Sequence, residues 1–225
     1  MTRIDSYEDL TENIVRWLKD YYYDNNSVKA FVIGVSGGID SAVVSSLCAR
    51  TGLPTYVVCM PLESKFENSR LSDVHSKALV EKYDNVERIE VELFSSYDSL
   101  LKSIDWWTEK GEYTSSEHAN ANTKSRMRMV TLYQIAGTVG GIVVGTGNKV
   151  EDYGVGFYTK YGDGGVDISP IADCNKTEVW EIGKELGILN EIIEAAPTDG
   201  LWDDGRTDEG QLGLKYHELE EAMDN

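Results

Sequence analysis

Between Gly34 and Ala42 the chain reads Gly-Val-Ser-Gly-Gly-Ile-Asp-Ser-Ala, two glycines bracketed by serines with an acid in the turn. These are the parts of an anion cradle. Gly37 and Gly38 let backbone N–H groups approach a phosphate closely. Ser36 and Ser41 add hydroxyl donors, and a helix starting after the turn aims its positive dipole end at the same point. The lysine of a P-loop is missing, and Asp40 stands in the turn instead. A carboxylate repels phosphate, so Asp40 is expected to hold a divalent cation that the phosphates share. The pattern predicts a pyrophosphate-binding loop rather than a γ-phosphate clamp. A plain glycine turn is the bland alternative, and the full hexapeptide between a strand and a helix argues against it.

The flanking elements support that placement. Apolar residues from Ile4 to Tyr21 recur at helical spacing, giving an amphipathic first helix. Apolar runs at Lys29–Ser36, Pro54–Pro61, Val86–Val91 and Gly141–Thr146 predict four strands. Helical stretches are expected after the loop, from about Glu67 to Tyr83, Phe94 to Lys110, Thr123 to Gly140, and Asn175 to Leu189, the last capped by Asn175 or Thr177. Strands alternating with helices predict an α/β fold with a doubly wound parallel sheet and flanking helices. Ligands of such sheets sit beyond the carboxyl ends of the strands. Both small-residue turns, after Gly34 and after Val144, fall there, and Glu151 would bring a second carboxylate for a hard cation. The polar run Gly111–Thr123 reads as a loop, and so do Gly154–Gly165 and Ala196–Gly210. With no internal repeat or linker, residues 1–225 are read as one domain.

The hexapeptide Ser-Gly-Gly-Ile-Asp-Ser resembles the signature of the N-type ATP pyrophosphatases, which adenylylate a substrate oxygen and release pyrophosphate. Further segments, Asn122–Ala136, Gly145–Glu151, Thr159–Ile171, Asn175–Trp180 and Ala196–Thr198, resemble the ammonia-dependent NAD synthetases in order and spacing over nearly the whole chain. The resemblance implies the adenine-nucleotide alpha-hydrolase-like fold. It also implies amidation of deamido-NAD by ammonia through an acyl-adenylate, with ATP as co-substrate and Mg2+ as cofactor. By position, Gly34, Val35, Ser36, Gly37, Gly38, Ile39, Asp40 and Ser41 would wrap the ATP phosphates, with Thr146, Lys176 and Thr198 also on ATP. Asp40 and Glu151 would ligate magnesium, and Arg126, Lys160 and Asp167 would bind deamido-NAD. Asp40, Lys176 and Asp163 are the implied catalytic groups, Asp163 or Asp167 handling the incoming ammonia. A homodimer is implied as well. The long helix from Thr123 supports it, because it carries apolar residues on more than one face. Family members continue past the helix at Leu212–Glu221 with a His-Lys pair that touches the dinucleotide, and this sequence stops at Asn225. With 225 residues already assigned, a glutamine-hydrolysing domain is not expected, which points to free ammonia.

Composition narrows the partners. A net charge of −18 disfavours nucleic acid, since the densest basic segment is the short Lys124–Met129 run. No apolar stretch reaches the roughly 18 residues of a membrane span, and no signal peptide is recognisable. Three scattered cysteines, Cys48, Cys59 and Cys174, provide no disulfide framework, and a cytoplasmic protein with inert buried thiols is expected. His75, His118 and His217 lack zinc-ligand spacing. Lys124 and Arg128 read as an exposed helix face, and Trp106-Trp107 as core or interface. Two rivals remain at this level. One is another ATP pyrophosphatase, such as a GMP synthetase core or a tRNA-thiolating enzyme. The other is a non-catalytic nucleotide-sensing protein that keeps the fold.

Overall fold

A computed structural model of the chain describes residues 6–62, 66–108, 116–198, 201 and 207–223, with side chains for all of these except 66–69 and 105–108. Its centre is a four-stranded parallel sheet in the order β3-β2-β1-β4, with β1 at Phe31–Gly34, β2 at Thr55–Cys59, β3 at Val86–Glu90 and β4 at Ile142–Val143. Phe31, Val32 and Ile33 have no solvent exposure. An unbroken apolar run suits a central parallel strand covered on both faces, whereas a one-sided strand would alternate.

Helices cover both faces. Helices α1 (Tyr7–Asp24), α2 (Ile39–Arg50) and α6 (Lys176–Glu185) pack together over one face, around Leu18, Phe31, Val43, Leu47 and Ile182. Helix α3 (Phe66–Lys82) lies against β2 and β3 beside α2. Helices α4 (Phe94–Thr108) and α5 (Glu117–Val139) cover the other face through Tyr97, Met129, Leu132 and Ala136. Ser6 starts α1, its hydroxyl accepting from the Asp9 N–H at 3.0 Å.

The connections decide where a ligand can sit. The chain runs outward from β1 through β2 to β3, then crosses back to lay β4 on the other side of β1. That reversal opens a crevice beyond the carboxyl ends of β1 and β4.

Several boundaries differ from expectation. Helix α5 starts at Glu117, so half of the expected polar loop is helical. Ser116 caps it by accepting from the Ala119 N–H at 3.1 Å, and Ala121 alone in the first turns is buried, which hides the period from a pattern search. The helix ends where Gly140 turns left-handed, at φ 67°. Asn175, one of the two residues expected there, is the N-cap of α6, and the Glu178 carboxylate accepts from its N–H at 2.7 Å. Gly187, at φ 71°, then ends that helical run before the short α7 (Asn190–Ile193). A π-helical turn at Val150–Val155 runs into the first two residues of the expected Gly154–Gly165 loop. The chain closes with α8 (Asp208–Leu212) and α9 (Tyr216–Met223). Trp106 and Trp107 lie outside the described side chains. Among the described residues no helix is long and apolar enough to cross a membrane.

Candidate active site

The loop after β1 has the backbone of an anion site. Gly37 sits at φ 95°, where a side chain would be strained. Gly38 is the N-cap of α2 and brings no side chain to its first-turn N–H groups, which are left for a ligand. Ser36 and Ser41 hold the loop closed. Their hydroxyls lie 3.1 Å apart, the Ser36 N–H donates to Ser41 Oγ at 3.2 Å, and the Gly38 N–H donates to Ser36 Oγ at 3.3 Å.

Three segments far apart in the chain then converge on the loop. Asp40, in the first turn of α2, Glu151, in the π-helical turn, and Lys176, first residue of α6, meet at the crevice. Lys176 Nζ donates to Asp40 Oδ2 at 2.5 Å and to Glu151 Oε1 at 2.9 Å. The lysine side chain is 2 % exposed and its two partners 18 % and 15 %. Asn148, fully buried, donates from Nδ2 to Asp40 Oδ1 at 3.0 Å, and its Oδ1 accepts from the N–H groups of Val150 and Glu151. One amide thus ties Asp40 to the start of the π-helical turn. Tyr216 donates its hydroxyl to Glu151 Oε1 at 2.6 Å.

The charges are not balanced. Burial works against the Lys176 ammonium, but two carboxylates hold it above the ordinary lysine range. Burial raises Asp40, and the neighbouring Glu151 adds to this against the pull of Lys176. Burial also acts to raise Glu151, but Lys176 and hydrogen bonds from Tyr216, Lys176 and Asn148 outweigh it and its carboxyl lies below the usual range. Asp152 is pushed up to about 6 by burial and by the fields of Glu151, Asp163 and Asp40. Asp40 and Glu151 thus share the single Lys176 ammonium, and Asp152 and Asp163 add negative charge beside them. A divalent cation fits that surplus, and Asp40 and Glu151 are the hard oxygen donors that would hold it. Among the described residues no three His, Cys, Asp or Glu side chains form a ready metal centre. Magnesium suits such a site, because it keeps waters and takes substrate phosphates beside one or two carboxylates.

A cavity of about 570 Å³ opens over this cluster. Gly34, Val35, Ser36, Gly37, Gly38, Ile39, Asp40 and Ser41 line it, with Thr146, Glu151, Asp163, Lys176 and Thr198. Asp163 is held by Ser125, whose hydroxyl donates to its Oδ1 at 2.6 Å, and by the Thr159 N–H at 3.1 Å. Arg126, Lys160 and Asp167 are not among the cavity-lining residues. Arg126 and Lys160 meet on the outer side of α5, where Arg126 Nε donates to the Lys160 carbonyl at 3.0 Å, and Asp167 lies further along the helix beside Tyr133. Both Asp167 oxygens are engaged, one by the Tyr133 hydroxyl at 3.1 Å and the other by the Val143 N–H at 2.8 Å. Asp167 thereby closes the open edge of β4. Beside this group lies a shallow apolar depression of Met129, Val130, Tyr133, Gln134, Tyr161 and Gly165.

Lys124 and Arg128 require correction. Lys124 is buried, donates to the Leu201 carbonyl at 3.1 Å and stands 5.9 Å from the Tyr97 ring centre, while Arg128 lines the cavity. Lys124 turns towards α4 and residue 201 instead of solvent, and Arg128 turns towards the cavity. Asn148, Asp152, Asp208 and Tyr216 are missed by sequence reasoning. Asn148 carried a signal, lying between a strand end and Glu151. Tyr216 and Asp208 carried none, because their contacts with the site join distant segments.

A model of the family described as NAD synthase matches residues 10–224. The NH(3)-dependent NAD(+) synthetase of Carboxydothermus hydrogenoformans is 37 % identical over 219 residues, 97 % of this chain and 86 % of that protein. Among solved structures, the NMN synthetase of Francisella tularensis superposes with a TM-score of 0.87 at 33 % identity, covering 98 % of this chain and 87 % of its own. The NH3-dependent NAD synthetase of Campylobacter jejuni superposes with a TM-score of 0.71 at 27 % identity, covering 84 % and 76 %.

Proposed function

The chain belongs to the NAD synthase family, and from that premise we propose that it amidates the nicotinate carboxylate of deamido-NAD with free ammonia, converting ATP to AMP and pyrophosphate. The observation that carries this reading is the meeting of Asp40, Glu151 and Lys176, from three separate segments, in one cavity with the Ser36–Ser41 loop. The substrate carboxylate attacks the α-phosphorus and pyrophosphate leaves, giving a mixed anhydride. Ammonia then attacks the acyl carbon, AMP leaves, and the nitrogen gives up a proton. Loop N–H groups and Lys176 would neutralise charge growing on the departing pyrophosphate. Thr146 and Thr198, both lining the cavity, would position ATP. Magnesium, when bound by Asp40 and Glu151, would supply the Lewis acid that polarises the phosphates. Asp163, fixed by Ser125, is the group assigned to hold the ammonia.

Arg126, Lys160 and Asp167 would meet the nicotinate substrate only at the outer side of α5, and this supports a homodimer assembled there. Val130 is 71 % and Tyr161 73 % exposed beside that depression, an apolar face that a second copy would cover. A fully active 25.1 kDa species in sedimentation would refute it. We place the enzyme, acting as a single ATP-pyrophosphatase domain, in the cytoplasm.

The higher superposition score of the NMN synthetase favours a second reading, in which the mononucleotide acid is the substrate. The same carboxylate reacts in both. Purified protein given ATP, magnesium, ammonium and either acid, with AMP and the amide quantified by chromatography, decides between them. Absence of amide from both would refute the function.

A further inference from the structure

The last helix reaches the reacting cluster by a route that neither the phosphate loop nor the lysine explains. Tyr216, on α9, is 1 % exposed. Its hydroxyl donates to Glu151 Oε1 at 2.6 Å and stands 3.5 Å from Asp208 Oδ2. The Lys176 ammonium lies 5.1 Å from the centre of the same ring, and Trp180 meets that ring edge-on at 5.9 Å. One side chain therefore touches both the carboxylate and the cation.

The rest of α9 is anchored to the two elements that carry them. Glu220 accepts from the Thr177 N–H at 3.0 Å and the Thr177 hydroxyl at 2.7 Å, gripping α6 one residue past Lys176. Leu219 and Tyr216 pack with Val150, and a Cβ on Gly154 would stand 2.6 Å from Met223 Sδ. The π-helical turn thus lies directly against α9. Single π-helical turns are rare and frequent at functional sites, and here the Glu151 carboxylate takes its side-chain contacts from Lys176 on α6 and Tyr216 on α9.

We infer that Tyr216 is a positioning residue, its hydroxyl fixing the Glu151 carboxylate and its helix setting Glu151 and Lys176 relative to Asp40. This rests on the amidation proposed above. Partners of this kind orient a ligating carboxylate, and their loss costs about 10–100-fold in metal affinity or activity.

The test is Tyr216→Phe, which removes one hydroxyl and keeps the buried ring, with Glu220→Gln as a second variant that loosens the grip on α6. The readout is the magnesium concentration giving half of the thermal stabilisation seen with a non-hydrolysable ATP analogue. That midpoint should rise about 10-fold in Tyr216→Phe and by a smaller factor in Glu220→Gln. Turnover of Tyr216→Phe should fall with KM for the nicotinate substrate unchanged. A midpoint within two-fold of wild type in Tyr216→Phe overturns the inference whatever its turnover. If that variant does not fold, an unmoved midpoint in Glu220→Gln overturns it. The midpoint needs no amide product, so a wild-type chain that makes no amide refutes the function and still leaves Tyr216 tested.

Discussion

Replacing Asp40 with asparagine separates what the carboxylate does for the fold from what it does for the reaction. The side chain keeps its shape, and an asparagine oxygen can still accept from Asn148 or Lys176. Lost is one charge-assisted hydrogen bond, the 2.5 Å contact from Lys176, worth about 1.5–3 kcal/mol. Relieved is the cost of keeping a carboxylate ionised at this depth. Burial, with Glu151 beside it, holds Asp40 above its ordinary range, so its charge works against the folded state despite the ammonium. Lys176 keeps Glu151 at 2.9 Å. The two terms oppose and partly cancel, so the loss of stability should stay below the about 1.5–3 kcal/mol of the bond alone, at about 2–4 °C in Tm per kcal/mol for a chain of this size. Catalysis has no such compensation. Weakening the hold on the magnesium that Asp40 would ligate removes charge neutralisation from the departing pyrophosphate and should cost about 3–4 kcal/mol, or about 10²–10³ in turnover. Scanning calorimetry without ligands and steady-state AMP release check the two halves. Turnover within a few-fold of wild type would refute Asp40 as a site residue. A variant that loses its fold would refute the cancellation.

Lys176→Met should behave differently. It leaves Asp40 and Glu151 buried against each other with their shared cation gone, and urea unfolding should show a loss of about 3–5 kcal/mol. His75 is buried beside Ser45, with Nε2 3.0 Å from Ser45 Oγ, and burial lowers its pKa from 6.5 to about 4. The unfolded chain binds the proton more readily, so this contribution is complete above pH 6.5 and is lost as pH falls towards 4. About 3 kcal/mol is involved, and His75→Leu should flatten the stability profile over that window in denaturant titrations from pH 7 to 4. Amide formation should require ammonium and should rise with pH towards the ammonium pKa, since only NH₃ has a free lone pair. Equal rates with glutamine in a glutaminase-free preparation would contradict this.

Local chemistry was legible in the amino-acid order wherever it is local in space. The apolar run at Phe31–Ile33 could only be a covered strand, and the turn after it needed Gly37 for its positive φ. Asp40 was expected within the turn and instead falls in the first turn of α2, which already starts at Ile39. The resemblance supplied Thr146, Glu151, Lys176 and Thr198, and the fold brings all four to the crevice. Arg126, Lys160 and Asp167 do not line that cavity, a distinction that depends on which way a helix face points once it is packed. Only the tertiary structure decided that Lys176 is shared between two carboxylates, that Lys124 is buried, and that Tyr216 reaches Glu151. These contacts join residues 25 to 136 positions apart. Hydrophobic period and turn chemistry describe a residue's immediate neighbours. They cannot say which distant helix end a sheet crossover will deliver to the same crevice, because that depends on strand order, and strand order here is set by the return of β4 to the side of β1.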